Sequence, residues 1–202
     1  MNRFINFAIA GVTLMMVNLA FGLDAPEGAY VSGITFAGTG CPQGSIVSST
    51  DEDQSYFSNN HIELKFDQFL IESGPTIPRW ALRLHCLVNV DLIVPSGWQY
   101  TIPKFEAAGF ASLSPQTQAM VKVGYRFIGQ PEVLMSGSLH GPYEDNFFIV
   151  DELSTLVLWS PCGPQRSLNL RFELSLRTSQ TTSNLALLDR VLLDDFQWRR
   201  CR

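Results

Sequence analysis

The sequence predicts an all-β protein, a single-domain antiparallel β-sandwich of the jelly-roll or Greek-key type with nine or ten strands. Two observations support this prediction. Apolar and polar residues alternate with a period of two along most of the chain, and Gly and Pro residues separate the alternating segments. Alternation that leaves one sheet face exposed to solvent is typical of antiparallel sheets, whereas the sequences of buried parallel strands are continuously apolar. No linker or repeat divides the chain.

The alternation is clearest at residues 80–92, 119–127 and 168–177, which are predicted as long strands. Shorter strands are predicted at residues 30–37, 62–71, 98–102, 132–139, 147–150 and 153–159. Residues 185–198 are also read as strand, although their leucines fit helical spacing as well. Residues 107–115 are the one segment where a short helical turn is expected.

Residues 1–22 have the pattern of a secretory signal peptide. Arg3 provides a short positive segment, an apolar run follows, and Ala20 and Gly22 occupy the −3 and −1 positions of a cleavage site. A retained membrane anchor is the alternative, but polar and glycine residues interrupt the apolar run. We therefore predict a mature single domain of residues 23–202, secreted, periplasmic or at the cell surface, with no membrane contact after cleavage.

The amino-acid composition argues against a disordered protein and against a nucleic-acid-binding protein. The chain has 202 residues, 46% of them hydrophobic and 16% charged, with a formal net charge of −5. A disordered protein would be less hydrophobic and more charged. A nucleic-acid partner is not expected, because binding phosphates requires clustered cations.

Four cysteines lie in the predicted mature part: Cys41, Cys86, Cys162 and Cys201. An oxidising compartment favours two disulfides, and three pairings are possible. We predict Cys41–Cys86 and Cys162–Cys201, because these close loops of similar size and tie each half of the chain separately. Zinc binding would need closely spaced cysteine pairs, which the sequence lacks.

Catalytic and metal motifs are scarce. There are three histidines and no G-x-S-x-G motif, so no catalytic residue, cofactor or metal ligand is assigned. The acidic run of Asp51, Glu52 and Asp53 is read as a solvated turn, with calcium binding as the alternative. A pair of catalytic carboxylates cannot be chosen from 19 acidic residues without geometry.

Trp98 and Tyr100 lie on one side of a short predicted strand. Such a pair can form a stacking platform for a sugar or a protein, because aromatic rings offer a large contact area at low entropic cost. Packing in the core is the favoured interpretation, because large aromatic residues are usually buried. If the pair is exposed instead, it is the candidate ligand face.

Several motifs together resemble a known family. They are G-T-G-C-P-Q-G-S at residues 38–45, Cys86 in a long strand, P-S-G-W at 95–98, W-S-P-C-G at 159–163 and W-R-R-C at 198–201. They resemble the small secreted bacterial and fungal proteins grouped as domain of unknown function 4360. The resemblance implies a secreted, β-rich, disulfide-containing domain and implies no activity. That family often has Asn before its second cysteine, where this chain has His85, so no role is carried over to that position.

Three functions remain open at this point. The first is a non-enzymatic module that binds a protein or a glycan, and the shortage of catalytic combinations favours it. The second is a secreted hydrolase that uses carboxylates, which a pocket with two facing carboxyl groups would support. The third is a structural envelope or matrix protein. Whether the protein is an enzyme, and its oligomeric state, stay open.

Overall fold

The computed structural model describes residues 25–47, 57–58, 60–152, 158–163, 165–179 and 182–201. The predicted signal peptide and the acidic run at residues 51–53 lie outside these residues. The elements in chain order are β1 (Tyr30–Ala37), β2 (Ile46–Val47), β3 (Phe57–Ser58), β4 (His61–Phe66), β5 (Leu70–Ser73), a 3-10 helix (Arg79–Leu82), β6 (Arg83–Ile93), β7 (Trp98–Thr101), β8 (Lys104–Leu113), β9 (Gln118–Phe127), β10 (Val133–His140), β11 (Tyr143–Glu152), β12 (Gln165–Arg177), β13 (Asn184–Asp194) and β14 (Gln197–Arg200).

The strands form a β-sandwich, as predicted. One sheet has five strands in the order β1-β6-β12-β9-β10. The other has seven: β11-β8-β13-β4-β2, with β3 paired to β4 and β5 paired to β13. All the pairings described are antiparallel. The chain passes from one of these sheets to the other at β1–β2, β5–β6, β8–β9, β10–β11, β11–β12 and β12–β13, as it does repeatedly in sandwiches of the jelly-roll type.

The core lies between the two sheets because alternate residues of each long strand point inwards. In β12, Leu168, Leu170, Phe172, Leu174 and Leu176 are buried, while the residues between them are partly exposed. In β13 the alternation shifts phase at a bulge between Leu188 and Arg190. Both sides of the bulge therefore direct apolar side chains to the core.

The prediction of a helical turn at residues 107–115 is wrong, because Lys104–Leu113 form strand β8. Alternate side chains of this strand are buried, at Phe105, Ala107, Ala111 and Leu113. The alternation is weak at residues 107–113 because the outward residues there, Ala108, Phe110 and Ser112, are small or apolar, and because Ala favours helices. At Gly109 a side chain would clash with the Leu187 carbonyl oxygen of the neighbouring strand, which explains the glycine.

Other boundaries also differ from those predicted. The segment at residues 80–92 begins with the 3-10 helix, so Trp80 does not start a strand. Residues 62–71 form two strands, and residues 185–198 are divided between β13 and β14 around Asp195, which has a positive φ of 57°. Residues 153–157 lie outside the described part of the chain, and Leu158 and Trp159 are not in a strand. Counting the two-residue segments, the described residues form fourteen strands, more than predicted.

The segment G-T-G-C-P-Q-G-S combines a turn with close packing. Gly44 has a positive φ of 85°, a conformation that glycine adopts without steric cost. At Gly40 a side chain would overlap the ring of Phe69. The backbone N–H of Gly40 donates to the carbonyl oxygen of His85 at 2.9 Å. This hydrogen bond and the Cys41–Cys86 disulfide attach the turn to the start of β6.

Candidate functional site

The outer face of the five-stranded sheet carries a groove of about 530 Å³. Residues of β1, β6, β9 and β12 form it, together with Glu132 just before β10. These strands direct their apolar residues inwards, so the same alternation that builds the core leaves polar side chains in the groove. Its volume lies within the range of about 300–1,000 Å³ that is usual for ligand pockets.

One row of polar side chains crosses four strands on this face. The register pairs Thr35 of β1 with Asn89 of β6, and Asn89 with Asn169 of β12. Asn169 is in turn paired with Arg126 of β9. Directly opposite residues of antiparallel strands have Cβ atoms about 4.5–5.5 Å apart, so the four side chains form a continuous row.

Part of this row has unused hydrogen-bonding groups. Asn89 Nδ2 donates to Asp91 Oδ1 at 3.4 Å. Asn169 and Arg126, in contrast, have no hydrogen-bond or ion-pair partner within the part of the chain that the structure describes. An amide offers two N–H donors and an oxygen acceptor, and a guanidinium offers five donors. The groove therefore presents both donors and an acceptor to a ligand.

A second row lies beside the first. It contains Leu87, whose exposed fraction is 52%, and its cross-strand partner Arg171. Arg171 Nη2 lies 2.7 Å from Glu132 Oε2, and this ion pair holds the Arg171 guanidinium in place. Glu132 is the one carboxylate among the described residues that line the groove, so a facing pair of carboxyl groups is not found there.

The structure places Tyr100 in the core, as the favoured interpretation of the sequence expected, so Trp98 and Tyr100 do not form an exposed ligand face. Tyr100 is fully buried, with its ring centroid 5.2 Å from Phe127 and 5.4 Å from Trp198. The ring of Trp98 is partly buried, and the guanidinium carbon of Arg200 lies 4.2 Å from its centroid. Tyr100 and Trp198 are paired in β7 and β14, which turns this strand pair towards the core.

Two of the four ionisable side chains with raised pKa values, Tyr100 and Tyr125, belong to this packed region. Burial raises the pKa of Tyr100 far above its usual value, and the neighbouring Tyr125 adds to the effect. Burial also raises the pKa of Tyr125, while hydrogen bonds partly offset the rise. Both phenols therefore stay protonated in the folded protein.

The four cysteines pair as predicted. Cys41–Cys86 and Cys162–Cys201 have Cα–Cα distances of 5.4 Å and 5.9 Å. The first disulfide is fully buried, whereas Cys162 is exposed. Disulfides persist in oxidising compartments, so the pairing fits the predicted extracellular location.

The described residues include no cluster of three or more His, Cys, Asp or Glu side chains that could hold a metal ion. No helix among them has the length and apolar character needed to cross a bilayer.

Comparison with known proteins places the chain in a family. A family model described as domain of unknown function (DUF4360) matches residues 27–201. The chain belongs to this family. An uncharacterized secreted protein of Arthroderma benhamiae is 27% identical to this DUF4360 protein over 184 residues, which cover 87% of the chain and 73% of that relative.

Two solved structures are similar to this DUF4360 protein in part. TmCBM61 in complex with β-1,4-galactotriose has a TM-score of 0.31 and 9% identity, over 84% of this chain and 90% of the other. The enzymatically active domain of tailspike protein 4 of bacteriophage CBA120 has a TM-score of 0.24 and 14% identity, over 84% of this chain and 20% of the other. Neither similarity, at these TM-scores, bears on the site.

The residues of the groove were missed by sequence reasoning. Asn89, Asn169 and Arg126 stand at the polar positions of three alternating segments, which is the ordinary position for a solvent-facing residue. Only the register of β6, β12 and β9 brings them together.

Proposed function

We propose that this secreted DUF4360 protein binds a glycan in the groove of the five-stranded sheet and catalyses no reaction there. The observation that carries the proposal is the pairing of Asn169 with Arg126 on the groove floor, with no protein partner for either side chain among the described residues. Sugar hydroxyl groups both donate and accept hydrogen bonds, which matches an amide beside a guanidinium.

Apolar contact supports a sugar ligand as well. The half-exposed Leu87 lines the groove, whereas Phe36, which also borders it, packs against the core opposite the buried Val88. Pockets for small ligands combine apolar walls with a few polar groups that fix orientation. The C–H surface of a sugar ring can pack against Leu87 while its hydroxyl groups contact the polar row.

The single carboxylate among the described groove residues favours glycan binding over glycan hydrolysis. Glycoside hydrolysis with two carboxylates needs one on each side of the scissile bond. Among the described groove residues Glu132 alone carries a carboxyl group, and Arg171 holds it in an ion pair.

A glycan array followed by calorimetry tests this proposal. We expect the purified full protein to bind at least one glycan. We expect Asn169→Ala and Arg126→Gln each to weaken that binding about tenfold, since hydrogen bonds with these groups contribute about 1–3 kcal/mol. Asn146→Ala is the matched control, because Asn146 is exposed on β11 of the other sheet.

Unchanged urea unfolding will show that each variant is folded. The proposal fails if the folded protein binds no glycan, or if the groove variants bind as tightly as Asn146→Ala does. Cleavage of the bound glycan would support the hydrolase instead.

A further inference from the structure

Positive charge is concentrated on the same outer face, although the whole chain has a net charge of −5. The outward residues of β6, β9 and β12 include the cations Arg83, Lys122, Arg126, Arg171 and Arg177. The seven-stranded sheet has the opposite character, because β11 and β13 alone carry Glu144, Asp145, Asp151, Glu152, Asp189 and Asp194.

The carboxylates on the outer face neutralise only part of this charge. Glu132 pairs with Arg171. Asp91, which is also directed outwards on β6, accepts hydrogen bonds from Ser167 and Asn89. Glu173 Oε1 lies 3.6 Å from Arg83 Nε and 3.4 Å from Lys122 Nζ, so one carboxylate serves two cations. Arg126 and Arg177 have no ion-pair partner among the described residues. The face therefore carries excess positive charge, which attracts an anionic ligand.

An exposed tryptophan lies at the far end of this face. Trp80, in the 3-10 helix before β6, has an exposed fraction of 81%. It borders a cleft of about 550 Å³ that is also lined by Arg83, Ser175 and Arg177. An indole ring beside guanidinium groups offers an apolar face for a sugar ring and donors for an acidic substituent.

The groove and this cleft share two strands. The groove contains the cross-strand pair Asn89 and Asn169, and the cleft contains the pair Arg83 and Ser175. Asn89 and Arg83 are six residues apart along β6, which corresponds to about 20 Å at the rise of an extended strand. Leu87 and His85 occupy the outward positions between them.

From this arrangement, and building on the proposed glycan-binding function, we infer that the ligand is a linear anionic polysaccharide that lies along β6 and β12 from the groove to Trp80. Arg126 binds acidic groups at one end and Arg177 at the other. A guanidinium can bind a carboxylate or a sulfate through two parallel hydrogen bonds, so the shared chemistry is a repeating anionic group.

Calorimetry with matched polysaccharides tests this inference. Polygalacturonate and its fully methyl-esterified form have the same backbone and differ in charge, and dextran sulfate supplies sulfate in place of carboxylate. We expect polygalacturonate or dextran sulfate to bind at least tenfold more tightly than the neutral ester. We also expect that affinity to fall as the salt concentration rises, because salt screens exposed charges.

Variants at the far end locate the ligand. We expect Trp80→Ala and Arg177→Gln each to weaken binding of the anionic polysaccharide several-fold, while a short neutral oligosaccharide held in the groove is unaffected. Arg190→Gln on β13 is the control, because Arg190 is a partly exposed arginine of the other sheet, where it pairs with Glu63.

The outcomes separate this inference from the proposed function. Equal affinity for the charged and the esterified polysaccharide would overturn the inference and leave glycan binding intact. No binding of polygalacturonate or dextran sulfate would also overturn the inference, and the proposed function fails with it only if the glycan array shows no binding either. Loss of affinity in Arg190→Gln as large as in Arg177→Gln would overturn the path along β6 and β12. Equally tight binding of duplex DNA would overturn the assignment to glycans, because charge alone would then decide the affinity.

Discussion

Tyr100 permits a sharp test of how the core is built. Its side chain is fully buried, and its hydroxyl group has no hydrogen-bond partner among the described residues. A buried hydroxyl without a partner costs roughly 1–3 kcal/mol, because it loses its hydrogen bonds to water. Tyr100→Phe removes that cost and keeps the ring, whose contacts include Phe127 at 5.2 Å and Phe196 at 5.7 Å between centroids. We therefore expect the free energy of unfolding to rise by about 1–3 kcal/mol.

The pH dependence provides a second measurement. Burial raises the pKa of Tyr100 in the folded protein, whereas in the unfolded chain it is about 10. Below pH 10 Tyr100 is protonated in both states, so its ionisation does not lower the free energy of unfolding. As the pH rises above 10 towards the pKa in the folded protein, only the unfolded state loses the proton, and the free energy of unfolding falls. The slope is about 1.4 kcal/mol per pH unit for one group. Tyr100→Phe removes this loss, so its advantage over the wild type should widen above pH 10.

Urea unfolding followed by tryptophan fluorescence, at pH 7 and at pH 11, measures both effects. Tyr30→Phe is the control, because Tyr30 is 53% exposed and should change the stability by less than about 0.5 kcal/mol. A decrease of 1 kcal/mol or more in Tyr100→Phe at pH 7 would show that the hydroxyl group makes a stabilising bond. A constant difference between the two pH values would refute the raised pKa.

Two further substitutions test the disulfides and the polar contacts of the fold. Replacing Cys162 and Cys201 together by serine should lower the free energy of unfolding by about 4 kcal/mol, since the disulfide closes a loop with a sequence separation of 39. A loss below 1 kcal/mol in urea unfolding would contradict this expectation. Asn184→Ala should cost about 2–3 kcal/mol, because this buried amide accepts from the Ser114 backbone N–H at 2.6 Å and donates to Ser73 Oγ at 2.8 Å. Thermal unfolding unchanged from the wild type would show that water replaces these bonds.

The fold could be predicted from the sequence wherever one face of a strand is clearly apolar and the other clearly polar. Strand β12 shows this pattern along most of its length, and both sheets follow from such segments. Strand β8 does not, because Ala107, Gly109 and Ala111 alternate with small or apolar outward residues. Its burial depends on the close approach of β13, at Gly109 and Leu187, and that contact cannot be read from a local pattern.

The site was much less predictable than the fold. Trp98 and Tyr100 were chosen because they are aromatic and share a side of one strand, but pairing with Trp198 turns Tyr100 into the core. The groove, in contrast, consists of ordinary polar residues, and only the order of the strands brings them together into one site. Asn169 and Arg126 are 43 positions apart in the sequence and become neighbours only because β12 inserts between β6 and β9.

The same strand order accounts for how an acidic protein can present a cationic face. The two sheets of a sandwich pack about 10 Å apart, so outward side chains of opposite sheets are separated by more than that distance. At physiological ionic strength exposed charges are screened over about 8 Å. A ligand in the groove is therefore influenced mainly by the charged residues that line it, Arg126, Arg171 and Glu132, and only weakly by the carboxylates of β11 and β13 on the other side of the core. The net charge of −5 is thus no obstacle to an anionic ligand on the five-stranded sheet.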